Sequence, residues 1–149
     1  GPNGAGKSTF VKKWNLEEYT LCKDEFRIKA GCVKNGEISQ DSNGIIKRIV
    51  YMLLEERLKN GCFTVIDETN AFGTTIDKYK EYAQKYDFDV VVIRFNTSKE
   101  ECKRRQEGRG FRAVSDELID RMNRFLVHSK VDTIDANEID GVIGKEDIT

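Results

Sequence analysis

The feature that most constrains this chain is its glycine-rich start, residues 1–9, GPNGAGKST. The segment fits the pattern GxxxxGK[ST], with Gly1 as the first required glycine. A glycine loop that runs into a helix presents several backbone N–H groups to one point, and the helix dipole adds partial positive charge there. Glycine is needed because such a loop takes positive φ angles and comes close to its ligand. The segment therefore predicts a phosphate-binding loop.

The polar residues of this loop fit a nucleotide site. Lys7 is predicted to lie between the β- and γ-phosphates, and the Ser8 hydroxyl is predicted to hold Mg²⁺. The alternative is a chance glycine-rich turn beside an exposed lysine, and the full match to the pattern argues against it. We expect the nucleotide to contact Gly1, Asn3, Gly4, Ala5, Gly6, Lys7, Ser8 and Thr9.

Short apolar runs alternate with helical periodicity along the rest of the chain, as in parallel α/β proteins. The pattern predicts strands at 19–22, 63–66, 90–95 and 131–134, helices at 7–15, 45–58, 76–86, from 98 and at 118–126, and a mobile loop at 30–44. We therefore expect residues 1–136 to form an α/β domain of the P-loop NTPase and kinase type, a three-layer sandwich with a parallel sheet. No strand precedes Gly1, so we expect the first strand to lie upstream in a longer protein.

Two acidic stretches follow predicted strands. Asp67 and Glu68 come at the end of the strand at 63–66, where open parallel sheets bind ligands. An acid there can hold Mg²⁺ or orient the acceptor, and solvated charges at a strand end are the alternative. Asp24 follows the strand at 19–22 and could accept a proton from an attacking hydroxyl, with Arg27 one helical turn further on to bind a phosphate. Taken alone, this second stretch is more often a solvated helix start.

A basic segment occupies the second half of the chain. Between Arg94 and Arg112 seven Lys or Arg face three acids, a local charge of +4 in a chain of net charge −1. Arg105 and Arg109 lie in or beside its glycine-containing part, which suits a lid that closes on the nucleotide and brings arginine to the transferred phosphoryl group. A solvated helix end or a plain nucleic-acid patch would have the same composition.

Composition narrows the class of protein. In 149 residues the longest apolar run, Ile49–Leu54, is far shorter than a membrane span needs. The four cysteines form no CxxC pair and the chain has one histidine, so neither a zinc site nor a redox motif is predicted. We expect reduced thiols in a cytoplasmic protein without membrane contact.

Taken together, GPNGAGKST, KDEFR, VIDETN and KRRQEGRGFRAVSDELIDRM resemble the P-loop polynucleotide 5′-hydroxyl kinases of the phage polynucleotide kinase type. The resemblance implies transfer of the γ-phosphoryl group of ATP to the 5′-hydroxyl of RNA or DNA, with Mg²⁺, as in nucleic-acid repair. It implies that Asp24 is the general base, that Arg27 contacts the acceptor phosphate, and that Arg105 and Arg109 grip the donor. It matches Glu68, rather than Asp67, to the family's acidic position before the Thr-Asn pair. We assign Glu68 to the acceptor and Ser8 and Asp67 to the metal, and the division of roles between the two acids stays open; Lys7 and Arg109 join Asp24 in catalysis.

The resemblance also implies a topology and a context. In related kinases the strand before the glycine loop lies in the middle of the sheet, so strands 63–66 and 90–95 should be separated by a gap wide enough for one strand, roughly twice the ~4.8 Å strand spacing, and share no continuous hydrogen bonding. Residues 137–149 are expected to be a linker to a phosphoesterase, phosphatase or ligase domain. Two alternatives stay open: a kinase of a small molecule such as a nucleotide sugar, in the manner of zeta-type toxins, and a nucleotide-switch ATPase module.

Overall fold

The computed structural model of the protein describes residues 1–69, 73–127 and 134–136. Its helices are α1 Lys7–Lys13, α2 Lys23–Lys29, α3 Asn43–Lys59, α4 Gly73–Lys85, α5 Lys99–Arg104 and α6 Asp116–Val127. Its strands are β1 Thr20–Cys22, β2 Val33–Lys34, β3 Glu37–Ile38, β4 Val65–Asp67, β5 Ile93–Arg94 and β6 Ile134–Asp135. The predicted alternation of helices and strands is confirmed in order, although the strands are shorter than the apolar runs that predicted them. The predictions for residues 131–133 and 137–149 lie outside the described residues.

Four of the strands form two parallel pairs. Strand β1 pairs with β4, with Cys22 opposite Asp67, and β5 pairs with β6, with Ile93 opposite Ile134. Parallel neighbours joined through helices are the arrangement that α/β proteins require. The α/β class is therefore confirmed, and the three-layer sandwich stays a prediction.

The start of the glycine loop lies between these two pairs. The Gly1 nitrogen donates a hydrogen bond to the carbonyl of Thr69, just beyond β4, while a Cβ built on Gly1 would meet Cβ of Phe95, just beyond β5, at 2.8 Å. Within the residues that the structure describes, β4 and β5 belong to separate sheets. The absence of continuous hydrogen bonding between them agrees with the prediction, and the width of the gap stays a prediction.

The prediction of a loop throughout residues 30–44 is wrong. Strands β2 and β3 form an antiparallel hairpin there, closed by Asn35 and Gly36 with φ angles of 52° and 75°. Two positive φ angles in a two-residue connection are those of a type I′ turn, for which Asn-Gly is the preferred sequence. The hairpin packs through β3 against α2 and against the 3-10 turn Gly110–Arg112.

Two apolar clusters pack the helices against the strands and the glycine loop. One joins β1, α3 and α4 through Leu21, Leu54, Leu58 and Tyr79, and the other joins the glycine loop, α5 and α6 through Ala5, Cys102 and Ile119. All four cysteines are free thiols. No helix in the described part of the chain combines the length and apolar character needed to cross a bilayer.

Candidate active site

The glycine loop has the backbone that its sequence predicts. Gly4 and Gly6 have φ angles of +85° and +101°, which residues with a side chain rarely adopt. A Cβ on Gly4 would lie 2.6 Å from Nε2 of Gln106 and 2.7 Å from the carbonyl oxygen of Cys102, so α5 packs directly on the loop. The Thr97 hydroxyl donates to the carbonyl of Ala5 at 2.8 Å. The loop is therefore supported from the side that faces the basic segment.

Lys7 lies folded back over this loop. Its ammonium group donates to the carbonyls of Gly1 and Pro2, both at 2.9 Å. Burial lowers the pKa of Lys7 below its usual range; the Asp67 carboxylate opposes this shift and the Arg109 guanidinium adds to it. Two neutral carbonyls compensate a half-buried cation only in part, so Lys7 is held where an anionic ligand would be favourable.

The predicted metal residues meet at the start of α1. The Ser8 hydroxyl donates to Oδ2 of Asp67 at 3.0 Å. Mg²⁺ in nucleotide sites is commonly held by one or two side-chain oxygens, with phosphate oxygens and waters completing an octahedron. No group of three or more His, Cys, Asp and Glu side chains suited to a metal occurs among the described residues. The Ser8 and Asp67 oxygens thus fit a Mg²⁺ that arrives with phosphate, and do not form an all-protein metal cage.

The acceptor-side residues lie at the start of α2, beyond the end of β1. Arg27 is buried at 7% exposure and donates to Oδ1 of Asp24 at 2.7 Å and to Oδ1 of Asn43 at 2.6 Å. The Asp24 side chain keeps 43% exposure. Burial raises the pKa of the Cys22 thiol; backbone hydrogen bonds at Glu25 and Asp24 oppose this shift, and the nearby charges of Asp67 and Asp24 add to it. The two predicted carboxylates, one for the metal and one for the proton, therefore flank one strand end.

Glu68 is engaged by protein groups. Both of its carboxylate oxygens lie 2.9 Å from Nζ of Lys23, and the Tyr79 hydroxyl donates to Oε1 at 2.7 Å. The side chains of Glu68 and Lys23 are 9% and 18% exposed. Burial raises the pKa of Tyr79, and the neighbouring Glu68 charge raises it further, so the phenol stays a donor. The predicted contact of Glu68 with the acceptor stays a prediction.

The glycine-containing part of the basic segment is folded as two 3-10 turns, Arg105–Gly108 and Gly110–Arg112, and rests on the glycine loop. Arg105 donates to the Gly4 carbonyl at 2.9 Å and to Glu101 at 2.7 Å. Hydrogen bonds from Arg104 and Arg105 lower the pKa of Glu101 to about 2, so part of the local positive charge is neutralised. Arg109 Nη1 is buried and, within the described residues, has no hydrogen-bond partner. A buried guanidinium nitrogen beside Lys7 is a donor suited to phosphate.

These groups line one cleft of about 1490 Å³. Every predicted site residue except Gly1 contributes to its walls, and Gly1 contributes its carbonyl to Lys7. The hairpin closes the acceptor side with Glu37, Ile38 and Gln40. Four supporting residues escaped prediction from sequence: Lys23, Asn43, Tyr79 and Gln106. None of the four carries a local sequence signal for its contact; Lys23, for example, meets Glu68 only through the pairing of β1 with β4.

A search among curated proteins finds no match to this chain. A model of the family described as AAA domain matches residues 1–127. This match includes the glycine loop, both acidic stretches and the basic segment. The chain therefore belongs to the AAA domain family and has its P-loop, nucleotide-binding type of α/β fold.

Proposed function

We propose that this protein is a Mg²⁺- and ATP-dependent kinase that transfers the γ-phosphoryl group of ATP to the 5′-hydroxyl of a nucleic acid. The observation that carries the proposal is the position of Asp24. Its exposed carboxylate opens on the same cleft as Lys7, Ser8 and Asp67. Lys7, Ser8 and Asp67 serve the nucleotide, and a second carboxylate beside them can accept the proton of an attacking hydroxyl. The family that the chain matches also includes polynucleotide-kinase-like proteins.

The proposed reaction uses each group for one task. Asp24 accepts the proton of the 5′-hydroxyl as its oxygen attacks the γ-phosphorus, and the bond from that phosphorus to the β–γ bridging oxygen breaks to release ADP. Lys7, the loop N–H groups and Arg109 stabilise the charge on the transferring group and the leaving phosphate. Mg²⁺ held at Ser8 and Asp67 neutralises phosphate charge when it is bound.

Arg27 serves two parts of this arrangement. One of its guanidinium nitrogens holds Oδ1 of Asp24, and the other holds Asn43 at the start of α3. A cation beside the acceptor is suited to a phosphate group of the nucleic-acid strand. Arg27 therefore orients the base and supplies the charge that selects a phosphate-bearing acceptor.

Substitution of Asp24 by Asn tests the proposal. Loss of a positioned general base lowers rates by about 10²–10⁴-fold, so we expect D24N to lose transfer to a 5′-hydroxyl oligonucleotide by this factor and to bind ATP normally. The matched control is E18Q, which alters an exposed carboxylate that does not line the cleft. Transfer near the unsubstituted rate in D24N would show that the base is assigned wrongly.

The acceptor is tested by competition for labelled phosphate between the oligonucleotide and nucleotide sugars. Label on the oligonucleotide supports the proposal, and label on the sugar identifies a small-molecule kinase. Hydrolysis of ATP at the same rate without any acceptor, and in D24N, identifies the nucleotide-switch ATPase instead.

A further inference from the structure

We infer that Lys23 and Glu68 are positioning residues, which together hold the start of α2 against the end of β4 and so set where Asp24 stands relative to the nucleotide. The inference rests on the proposed function for the role of Asp24. It differs from the acceptor contact that the resemblance implies for Glu68, because it makes Glu68 act through Lys23.

The strand register explains why this pair forms. Cys22 and Asp67 are opposite each other as the last residues of β1 and β4, so the residues that follow them, Lys23 and Glu68, leave the sheet side by side. Lys23 is also the first residue of α2, directly before Asp24. Glu68 directly follows Asp67, which holds the Ser8 hydroxyl. The ion pair thus ties the element that carries the base to the element that carries the metal residue.

The carboxylate of Glu68 has its contacts within the protein. Lys23 approaches both oxygens, and Tyr79 from α4 donates to Oε1, so the group is fixed from two sides. At 9% and 18% exposure the two charges are largely removed from water. Removing one partner of such a pair leaves a poorly solvated charge, whereas replacing both partners removes that penalty.

A second lysine–glutamate ion pair lies on α4 and is exposed to water. Lys78 and Glu81 form a 2.8 Å ion pair on α4, but their side chains are 49% and 66% exposed. Exposed pairs of this kind contribute little to stability. They provide a matched control for the loss of a lysine–glutamate pair.

The experiment is a double-mutant cycle of K23M, E68Q and K23M/E68Q, with K78M/E81Q as the control and K23R as the conservative variant. We measure kcat with a 5′-hydroxyl oligonucleotide, the KM for ATP and for the oligonucleotide, and Tm. A shift of about 1 Å in a catalytic group can cost about 10²-fold, so each single variant should lose about 10- to 100-fold in kcat. Both KM values should stay within about twofold, and K23R should keep most of the rate.

The double variant separates the possible roles. If the pair acts as one positioning unit, K23M/E68Q recovers Tm towards the original value while its kcat stays as low as in the single variants. Recovery of kcat together with Tm would overturn the inference, because the pair would then serve stability alone. A loss equal to the product of the two single losses, or a raised oligonucleotide KM in E68Q alone, would also overturn it, because Glu68 would then act on the acceptor directly.

A second measurement needs no acceptor. With Mn²⁺–ATP bound, paramagnetic broadening of the Asp24 amide resonance reports its distance from the metal. We expect this broadening to change in all three variants of the pair and not in K78M/E81Q, and unchanged broadening in K23M/E68Q would overturn the inference. If the unsubstituted protein transfers no phosphate to the oligonucleotide, the proposed function fails and this distance still decides the inference.

Discussion

At the scale of single residues, the chemistry of the cleft is clearest in Lys7. Its ammonium group lies over the loop and bonds two carbonyls, and its burial favours the neutral amine over the charged form. A γ-phosphate brought to the same place adds full negative charge, which favours the ammonium form. Nucleotide binding should therefore raise the pKa of Lys7 from its lowered value, so the site takes up a proton at alkaline pH.

Isothermal titration of Mg²⁺–ATP in buffers of different ionisation enthalpy measures this uptake. We expect the uptake to grow across the alkaline range as the pH rises through the lowered pKa of Lys7, because the free protein then loses a proton that the complex keeps. K7R is the control, because arginine stays protonated throughout this range. Equal uptake in K7R would assign the proton to another group.

Some residues of the cleft could be predicted from the sequence, and the contacts of others could not. That Lys7, Ser8 and Asp67 lie in one cleft could be predicted, because each occupies a fixed position relative to the glycine loop or the end of an apolar strand. The contacts of Glu68 could not be predicted, because they depend on the register between β1 and β4 and on Tyr79 from a third element. Fixed local spacing is visible in one sequence, whereas contacts between distant segments are not.

At the scale of elements, hydrogen bonds of Gln106 fix the basic segment to the glycine loop. The buried Gln106 side chain donates to the carbonyl of Asn3 at 3.4 Å and to that of Cys102 at 2.9 Å, and accepts from the Val114 amide at 3.2 Å. These bonds join the glycine loop, helix α5 and Val114, which follows the basic segment. Arg109 follows one turn later, with its amide bonded to the Gln106 carbonyl at 3.0 Å. Gln106 therefore positions the donor-side arginines before any nucleotide is bound.

Substitution of Gln106 by Met keeps the size of the side chain and removes its donor and acceptor. We expect the KM for ATP to rise about tenfold, since one or two hydrogen bonds of about 1 kcal/mol each no longer hold Arg105 and Arg109 in place. The KM for the acceptor should stay unchanged. Steady-state kinetics with each substrate varied in turn checks both values, and an unchanged KM for ATP would show that the segment is positioned without Gln106.

The β2–β3 hairpin could not be predicted from the sequence, for a different reason. Asn35-Gly36 is a strong signal for a two-residue turn, but the flanking strands have only two residues each and no apolar alternation. Composition alone therefore favoured a loop over 30–44. The hairpin is defined by the packing of β3 against α2 and the Gly110–Arg112 turn, which no local pattern encodes.

At the scale of the whole molecule, charge is distributed so that attraction for a polyanion is confined to the cleft. The net charge is −1, and Glu101 already pairs with Arg104 and Arg105. The cleft is also lined by Arg27, Arg112 and Arg121, with Arg27 bonded to Asp24 and Arg112 to Glu25. A nucleic acid should therefore be bound by its first few phosphates, without a long-range electrostatic contribution.

This distribution predicts how binding depends on salt. Three phosphate contacts on a single strand give a slope of log K against log salt of about −2 at most. We expect slopes no steeper than this for 5′-hydroxyl oligonucleotides, measured by fluorescence anisotropy, and the same slope for 4-mers and 12-mers. R112Q should reduce the slope by about 0.7, which is the contribution of one phosphate contact. A slope that steepens with oligonucleotide length would place a polyanion-binding surface outside the cleft, because only contacts beyond the first few phosphates can add to it.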